Sequence, residues 1–187
     1  MPVIDGAEEY LNLLWLDVES SGLGDSSYPI EIGVCGVSLE PISFLIRPLS
    51  DWGIESWSSS SEKIHGISYD LLIERGALAT NVCEWLNAVC NNRTVLSDNP
   101  PYDEGWLDRL YDDVGVMRTF ELLDAVHAAG VAAGLSRLSQ PEAQAILARI
   151  HRVFPHPHRA GPDSRRSAAE FMAMAMPWAL QEIEEMA

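Results

Sequence analysis

The sequence predicts an α/β fold: a mixed five-stranded sheet whose first three strands run antiparallel, with helices on both faces. Three observations carry this expectation. The front of the chain holds three short apolar runs, at residues 11–19, 28–37 and 41–48, joined by connections too short for a crossover helix. Residues 80–90 then place Val82, Trp85, Leu86 and Val89 on one helical face and lead into the strand-like run Arg93-Thr94-Val95-Leu96. Beyond residue 122 the patterning is helical for most of the remaining length.

Each element has a local reason. In the first strand, period-two alternation projects Asp17 and Glu19 from the same face, and Ser20, Ser21 and Gly22 then stop the strand and turn the chain. The second strand carries Gly33 and Gly36, where close backbone packing is expected, and the third is bounded by Pro41 and Pro48. Residues 50–61 read as a loop containing Trp52, Trp57 and a run of serines; its tryptophans either tuck back onto the core or offer a stacking surface. A short helix and turn follows over 61–68, then a short helix over 69–75 ended by Gly76, then the 80–90 helix with Thr80 as its N-cap. Asn99 caps a helix over 99–111, with Pro100 and Pro101 in the first turn, where a missing N–H costs nothing. Tyr102, Trp106, Leu107 and Leu110 form its apolar face, and Asp103 lies one turn after Asn99. Residues 116–123 return toward the core, and 122–133 read as an alanine-rich helix. Ser139-Gln140-Pro141-Glu142 signals the start of a helix reaching residue 153; a breaker-rich loop over 155–163, a helix over 164–175 and a last helix from Pro177 complete the chain.

Composition narrows the class. The chain has 187 residues, 47% of them hydrophobic, enough for one domain over 1–187 with a sizeable core; residues 1–10 are expected as a loose polar lead-in. A net charge of −16 argues against a non-specific grip on a long phosphate backbone, which needs a basic footprint. Local bases and bound divalent cations can still reverse the field at one site. Cys35, Cys83 and Cys90 form no C-x-x-C pair, which favours free thiols in a reducing compartment. With no basic region leading into a long apolar run, and no apolar stretch of about 18 residues, a soluble, cytoplasmic protein that avoids the membrane is expected.

Three separated features carry chemistry: Asp17 with Glu19, Asp103, and His158 with Asp163. Two acids side by side at a strand end repel unless a cation holds them, and hard divalent ions such as Mg²⁺ or Mn²⁺ favour carboxylate oxygens. The Gly161-Pro162 turn can bring His158 and Asp163 to one spot. Each feature alone has a plain reading, as a solvated strand end, a helix-capping acid or an exposed loop histidine. A zinc site from His151, His156, His158 and Asp163 is a competing reading, but it leaves Asp17, Glu19 and Asp103 without a role.

Taken together these segments resemble one known family. LDVESSGL is similar to the first motif, L-D-x-E-T-T-G-L, of the DEDDh 3′–5′ exonucleases, which share the ribonuclease H-like fold; NPPYDEGWL is similar to their second motif, N-x-x-F-D-x-x-F-L. HRAGPD followed by a helix resembles the third, H-R-A-x-x-D, and SEKIHGIS resembles the I-H-G-I-(S/T) segment between the first two. The matches fall in order across roughly residues 11–175. The departures are Ser20-Ser21 in place of two threonines, Asp98 where a histidine is usual, and Pro100-Pro101 in place of small residues. None removes a ligand.

The resemblance implies a ribonuclease H-like sheet and removal of nucleoside 5′-monophosphates from the 3′ end of RNA or DNA. It implies two ions, Mg²⁺ or Mn²⁺, about 3.5–4 Å apart, bridged by Asp17, with Glu19 and Asp163 completing the first site and Asp103 holding the second. His158 would be the general base, a role suited to a group that titrates near neutrality. Substrate contacts would fall to Ser20, Gly22, Leu23, His65, Ile67, Asn99 and Arg159, although Leu23, His65 and Ile67 can equally be ordinary loop packing. Arg159, Arg165 and Arg166 form a basic cluster that either holds a phosphate or is simply solvated. Within the family, compact size, acidity and the HRAGPDSRRSAAEF helix look most like oligoribonuclease, with proofreading DNA exonucleases next. A homodimer is also implied. The alternative of another class is a catalytically weak nuclease-fold module that binds a protein or nucleic-acid partner.

Overall fold

A computed structural model describes residues 6–187 of the protein. Five strands, β1 (Leu13–Ser20), β2 (Pro29–Cys35), β3 (Ile42–Leu45), β4 (Thr94–Ser97) and β5 (Leu122–Asp124), form one sheet in the order β3-β2-β1-β4-β5. β1 pairs antiparallel with β2 and β2 with β3, while β4 and β5 continue from β1 in parallel. This is the expected mixed sheet, with helices on both of its faces.

Alternation along β1 separates two cores. Leu14, Leu16 and Val18 point to one face, where Ile30, Ile32 and Val34 of β2 join residues of α2 (Tyr69–Arg75), α3 (Ala79–Cys90) and α4 (Pro100–Val114). Trp15 points to the other, against α5 (Ala125–Leu135), α6 (Gln140–Val153), α7 (Ala160–Ala175) and α8 (Leu180–Glu185). Fully burying one such aliphatic side chain contributes about 1.5–3 kcal/mol. A one-residue slip of β1 would therefore be heavily penalised on both faces. Asp17 and Glu19 share the Trp15 parity, so the same pattern that buries Trp15 aims both acids toward α7.

Several local expectations change. Residues 1–5 of the expected lead-in lie outside the described residues; residues 7–10 are not loose but form a 3-10 turn, with Ala7 fully buried and Tyr10 edge-on to Phe171. The serine run is helical: α1 (Ser59–His65) starts within it, because the Ser58 hydroxyl accepts the Ser61 N–H and caps the first turn. Leu122–Asp124 is strand β5 rather than the start of a helix. Pairing with β4 holds it extended, and Asp124 accepts the His127 N–H, so α5 begins only at Ala125. α3 opens at Ala79, one residue before the expected cap Thr80, and Asn99 occupies the N-cap of α4 without a side-chain capping bond. The Ser139 signal works as expected, with Glu142 accepting the Ser139 N–H at 2.8 Å. Trp52 belongs to the core, 1% exposed and stacked on Tyr28 at 5.1 Å. No helix among the described residues is long and apolar enough to cross a membrane.

Candidate active site

Three elements deliver the acids. β1 ends beside α4 and α7, so Asp17 and Glu19 meet Asp163 from the start of α7, with one donor atom from each lying within 4.8 Å of the others. Asp163 is placed by its own helix: Pro162 sits in the first turn, and the Asp163 carboxylate reaches back to accept the Arg159 N–H at 3.1 Å. The approach of α7 to the sheet depends on Gly33, the β2 residue paired with Asp17. A Cβ at Gly33 would fall inside the Ala160 carbonyl and the Gly161 N–H. Gly33→Ala should therefore push the start of α7, and Asp163 with it, off the sheet. A cost of about 1–3 kcal/mol is expected, lowering Tm by about 2–4 °C per kcal/mol at this chain length. Mn²⁺ affinity measured by calorimetry should fall at least about tenfold; an unchanged affinity would show that Gly33 does not set the site.

Asp103 stands apart from that trio. It is 3% exposed, accepts the Ser97 hydroxyl, and comes from α4, which packs on the sheet face opposite α7. Two site oxygens are buried with no hydrogen-bond partner, Asp17 Oδ2 and Asp163 Oδ1. Buried carboxylate oxygens are rarely left so.

The electrostatics report the same crowding. Burial, then the charges of Asp103, Glu19, Asp98 and Asp163, push the Asp17 carboxyl well above the usual range. Burial, then Asp163, Glu31 and Asp103, raises Glu19 to about 8, with Arg159 opposing. Burial raises Asp103 to about 7 against the Ser97 hydrogen bond, and Asp163 to about 6 against the Arg159 N–H. Such a cluster is held by a cation or is largely protonated at neutral pH. The donor set is all carboxylate oxygen, which suits Mg²⁺ or Mn²⁺.

His158 lies on the open side of Asp163, exposed, with φ at +55°. His156 joins it: Nδ1 is 3.4 Å from Asp163 Oδ2, and the two imidazole rings are 4.5 Å apart. His151 is elsewhere, its Nε2 2.8 Å from Glu170, so the four-residue zinc set does not assemble.

The expected substrate contacts divide. Leu23 is 77% exposed at the mouth of a cleft of about 250 Å³ that Tyr102 and Trp106 also line. Ser20 donates to the Gly22 carbonyl at 2.7 Å and locks the turn beyond β1. Asn99 is exposed at the start of α4. His65 is 5% exposed; its Nδ1 accepts the Ile67 N–H, and its Nε2 is unpartnered. Ile67 is fully buried in the core and offers no side-chain surface to a substrate.

The arginines of the cluster are paired rather than simply solvated. Arg159 is bidentate on Glu31 at 2.9 and 2.8 Å, Arg165 donates to the Met186 carbonyl and stands over the Phe154 ring, and Arg166 is 2.9 Å from Glu170. All three have partners within the fold, and Arg159 stays 38% exposed beside them. Glu31 was not singled out by the sequence. It is 2% exposed, paired with Glu19 across the ladder, and its Oε2 also accepts the Ala160 N–H. A carboxylate embedded in an otherwise apolar strand was the available signal.

No family model and no curated protein sequence matches the chain. Solved structures do. Escherichia coli exonuclease I in complex with a dA16 oligonucleotide superimposes with a TM-score of 0.64 at 14% identity, over 91% of this chain and 42% of that one. The E. coli enzyme with a dT13 oligonucleotide gives 0.60 at 15% identity, over 91% and 42%. A moderately thermophilic exonuclease I from Methylocaldum szegediense gives 0.57 at 13% identity, again over 91% and 42%. The chain thus spans about two-fifths of the length of these structures, and it shares with them the ribonuclease H-like fold.

Proposed function

We propose that the protein is a metal-dependent 3′–5′ exonuclease that releases nucleoside 5′-monophosphates from a single-stranded or short nucleic-acid 3′ end. The observation that carries this reading is the convergence of half-buried Asp17 and Glu19 on buried Asp163, with two buried, orphaned oxygens, beside Asp103 and an exposed histidine. Asp17, Glu19 and Asp163 would hold one divalent ion, and Asp17 with Asp103 a second. When bound, such ions supply Lewis-acid stabilisation of charge on a scissile phosphate.

The remaining steps belong to the chain. His158, exposed and next to Asp163, accepts the proton of the attacking water. Asp163 also orients the start of α7 through the Arg159 N–H, keeping the His158 loop over the acids. Leu23 and Tyr102, both exposed at the cleft, give a terminal base an apolar, stackable surface that tolerates any sequence. With the arginines engaged internally, little of the site grips a long backbone, which favours short or single-stranded ends. The solved exonuclease I complexes with dA16 and dT13 support a single-stranded substrate.

The test is Mn²⁺-dependent degradation of 5′-labelled RNA and DNA oligonucleotides, single- and double-stranded. Laddering from the 3′ end, strongest on single strands, is expected. Absence of turnover on every substrate while Mn²⁺ binds normally would overturn the reading in favour of a binding module.

A further inference from the structure

The loop before α7 places a second, different donor set against the same acid. His156 Nδ1, His158 and Asp163 have donor atoms within 4.8 Å of one another. The 3.4 Å from His156 Nδ1 to Asp163 Oδ2 matches one edge of a tetrahedron whose corners lie about 2.0–2.1 Å from its centre. Asp163 is 2% exposed; its Oδ2, which faces His156, already accepts the Arg159 N–H and keeps a second lone pair, while its Oδ1 has no partner in the fold. Both histidines are exposed, leaving a water free to complete a fourth position.

Two imidazoles and one carboxylate are a poor set for Mg²⁺, which demands oxygen, and a good one for a borderline-soft ion. Asp98 and Glu170 add negative field around His156, while the opposing Arg166 is held by Glu170 at 2.9 Å. The thiols are withdrawn as competing ligands. Cys35, Cys83 and Cys90 are buried, with thiols pushed up to about 12. His65 spends its Nδ1 on the Ile67 N–H, and His151 faces Glu170.

We propose that His156, His158 and Asp163 form a Zn²⁺ site that is alternative to the carboxylate site, and that Zn²⁺ bound there inhibits the enzyme by occupying both the base and a shared ligand. The inhibitory half rests on the nuclease reading; the binding half does not. His156 is the discriminating residue, because it belongs to this site alone and lies exposed in a loop, where substitution spares the core.

Metal-stripped protein is titrated with Co²⁺, followed by its visible absorption, and with Zn²⁺ in competition with a chromophoric chelator. The wild type should develop the intense band of a low-symmetry, four-coordinate Co²⁺ and lose it when Zn²⁺ is added. In His156→Ala and His156→Gln the band should vanish and Zn²⁺ affinity fall at least about 100-fold, since even an outer partner of a ligand changes affinity 10–100-fold. Mn²⁺ affinity and Mn²⁺-dependent turnover should be unchanged in both, and Asp17→Asn should keep the Co²⁺ band. A band and Zn²⁺ affinity that survive both His156 variants, or that disappear in Asp17→Asn, would overturn the proposal. In excess Mg²⁺, low Zn²⁺ should suppress wild-type turnover and spare His156→Ala; equal suppression of both would remove the inhibitory role. Were no turnover found with any metal, the band would still report the site.

Discussion

Asp17→Asn is expected to melt at a higher temperature than the wild type in EDTA while losing metal-dependent turnover. The two effects have one cause. In the cation-free protein, Asp17 is buried among Asp103, Glu19, Asp98 and Asp163, each of which opposes its ionisation. Asparagine keeps the shape, removes that repulsion, and gives up an oxygen that only a cation satisfies. Each kcal/mol of relief should appear as about 2–4 °C in Tm. Loss of a ligand at the reacting centre should lower kcat by at least about 10²–10³-fold, the scale of removing one preorganised charge-stabilising group. Calorimetry in EDTA and single-turnover assays in Mn²⁺ read the two halves separately. A variant less stable than the wild type in EDTA would mean that the Asp17 carboxyl does not cost the cation-free fold stability.

The second large effect is a reversal of pH dependence by metal. Glu19, Asp103 and Asp163 have folded-state values of about 8, 7 and 6, all above their ordinary 4.5, 3.8 and 3.8. Between the ordinary and folded values the native state binds more protons than the unfolded state, so stability falls as pH rises. In EDTA the stabilising protonation is fully present below about pH 4 and is lost progressively up to about pH 8, Glu19 releasing last. Added Mn²⁺ binds the ionised cluster, so its stabilisation should grow with pH over the same interval. The check is Tm against pH from 5 to 8.5, with EDTA and with saturating Mn²⁺. Parallel curves would exclude the cluster as the metal site.

What the sequence made legible follows from the range of each interaction. Asp17 and Glu19 were readable because strand alternation is local, and Asp103 because it sits in the first turn of a helix with its own start signals; Asp163 was read at the end of a loop, whereas α7 already begins at Ala160. The three-residue β5 was not readable. Leu122-Leu123-Asp124 is too short for periodicity to separate from the alanine-rich helix behind it, and only pairing with β4 decides. The fate of Arg159 was hidden for a different reason. Its partner Glu31 lies 128 positions away, and nothing local distinguishes an arginine awaiting phosphate from one clamping β2 to α7. Ile67 shows the limit of motif reading: the segment matched, yet the side chain serves the core.

The sheet order has a kinetic consequence. The β1–β2–β3 meander can close from neighbouring sequence, but the acids meet only after β4 crosses back to β1 and α7 lands on Gly33. Before that docking Asp103 and Asp163 are far from the Asp17–Glu19 pair and hydrated, so most of the repulsion within the cluster arises when α4 and α7 close on β1. A cation that binds only the completed cluster leaves the folding barrier nearly untouched and deepens the native well behind it. Metal then acts chiefly on the rate at which the finished protein comes apart.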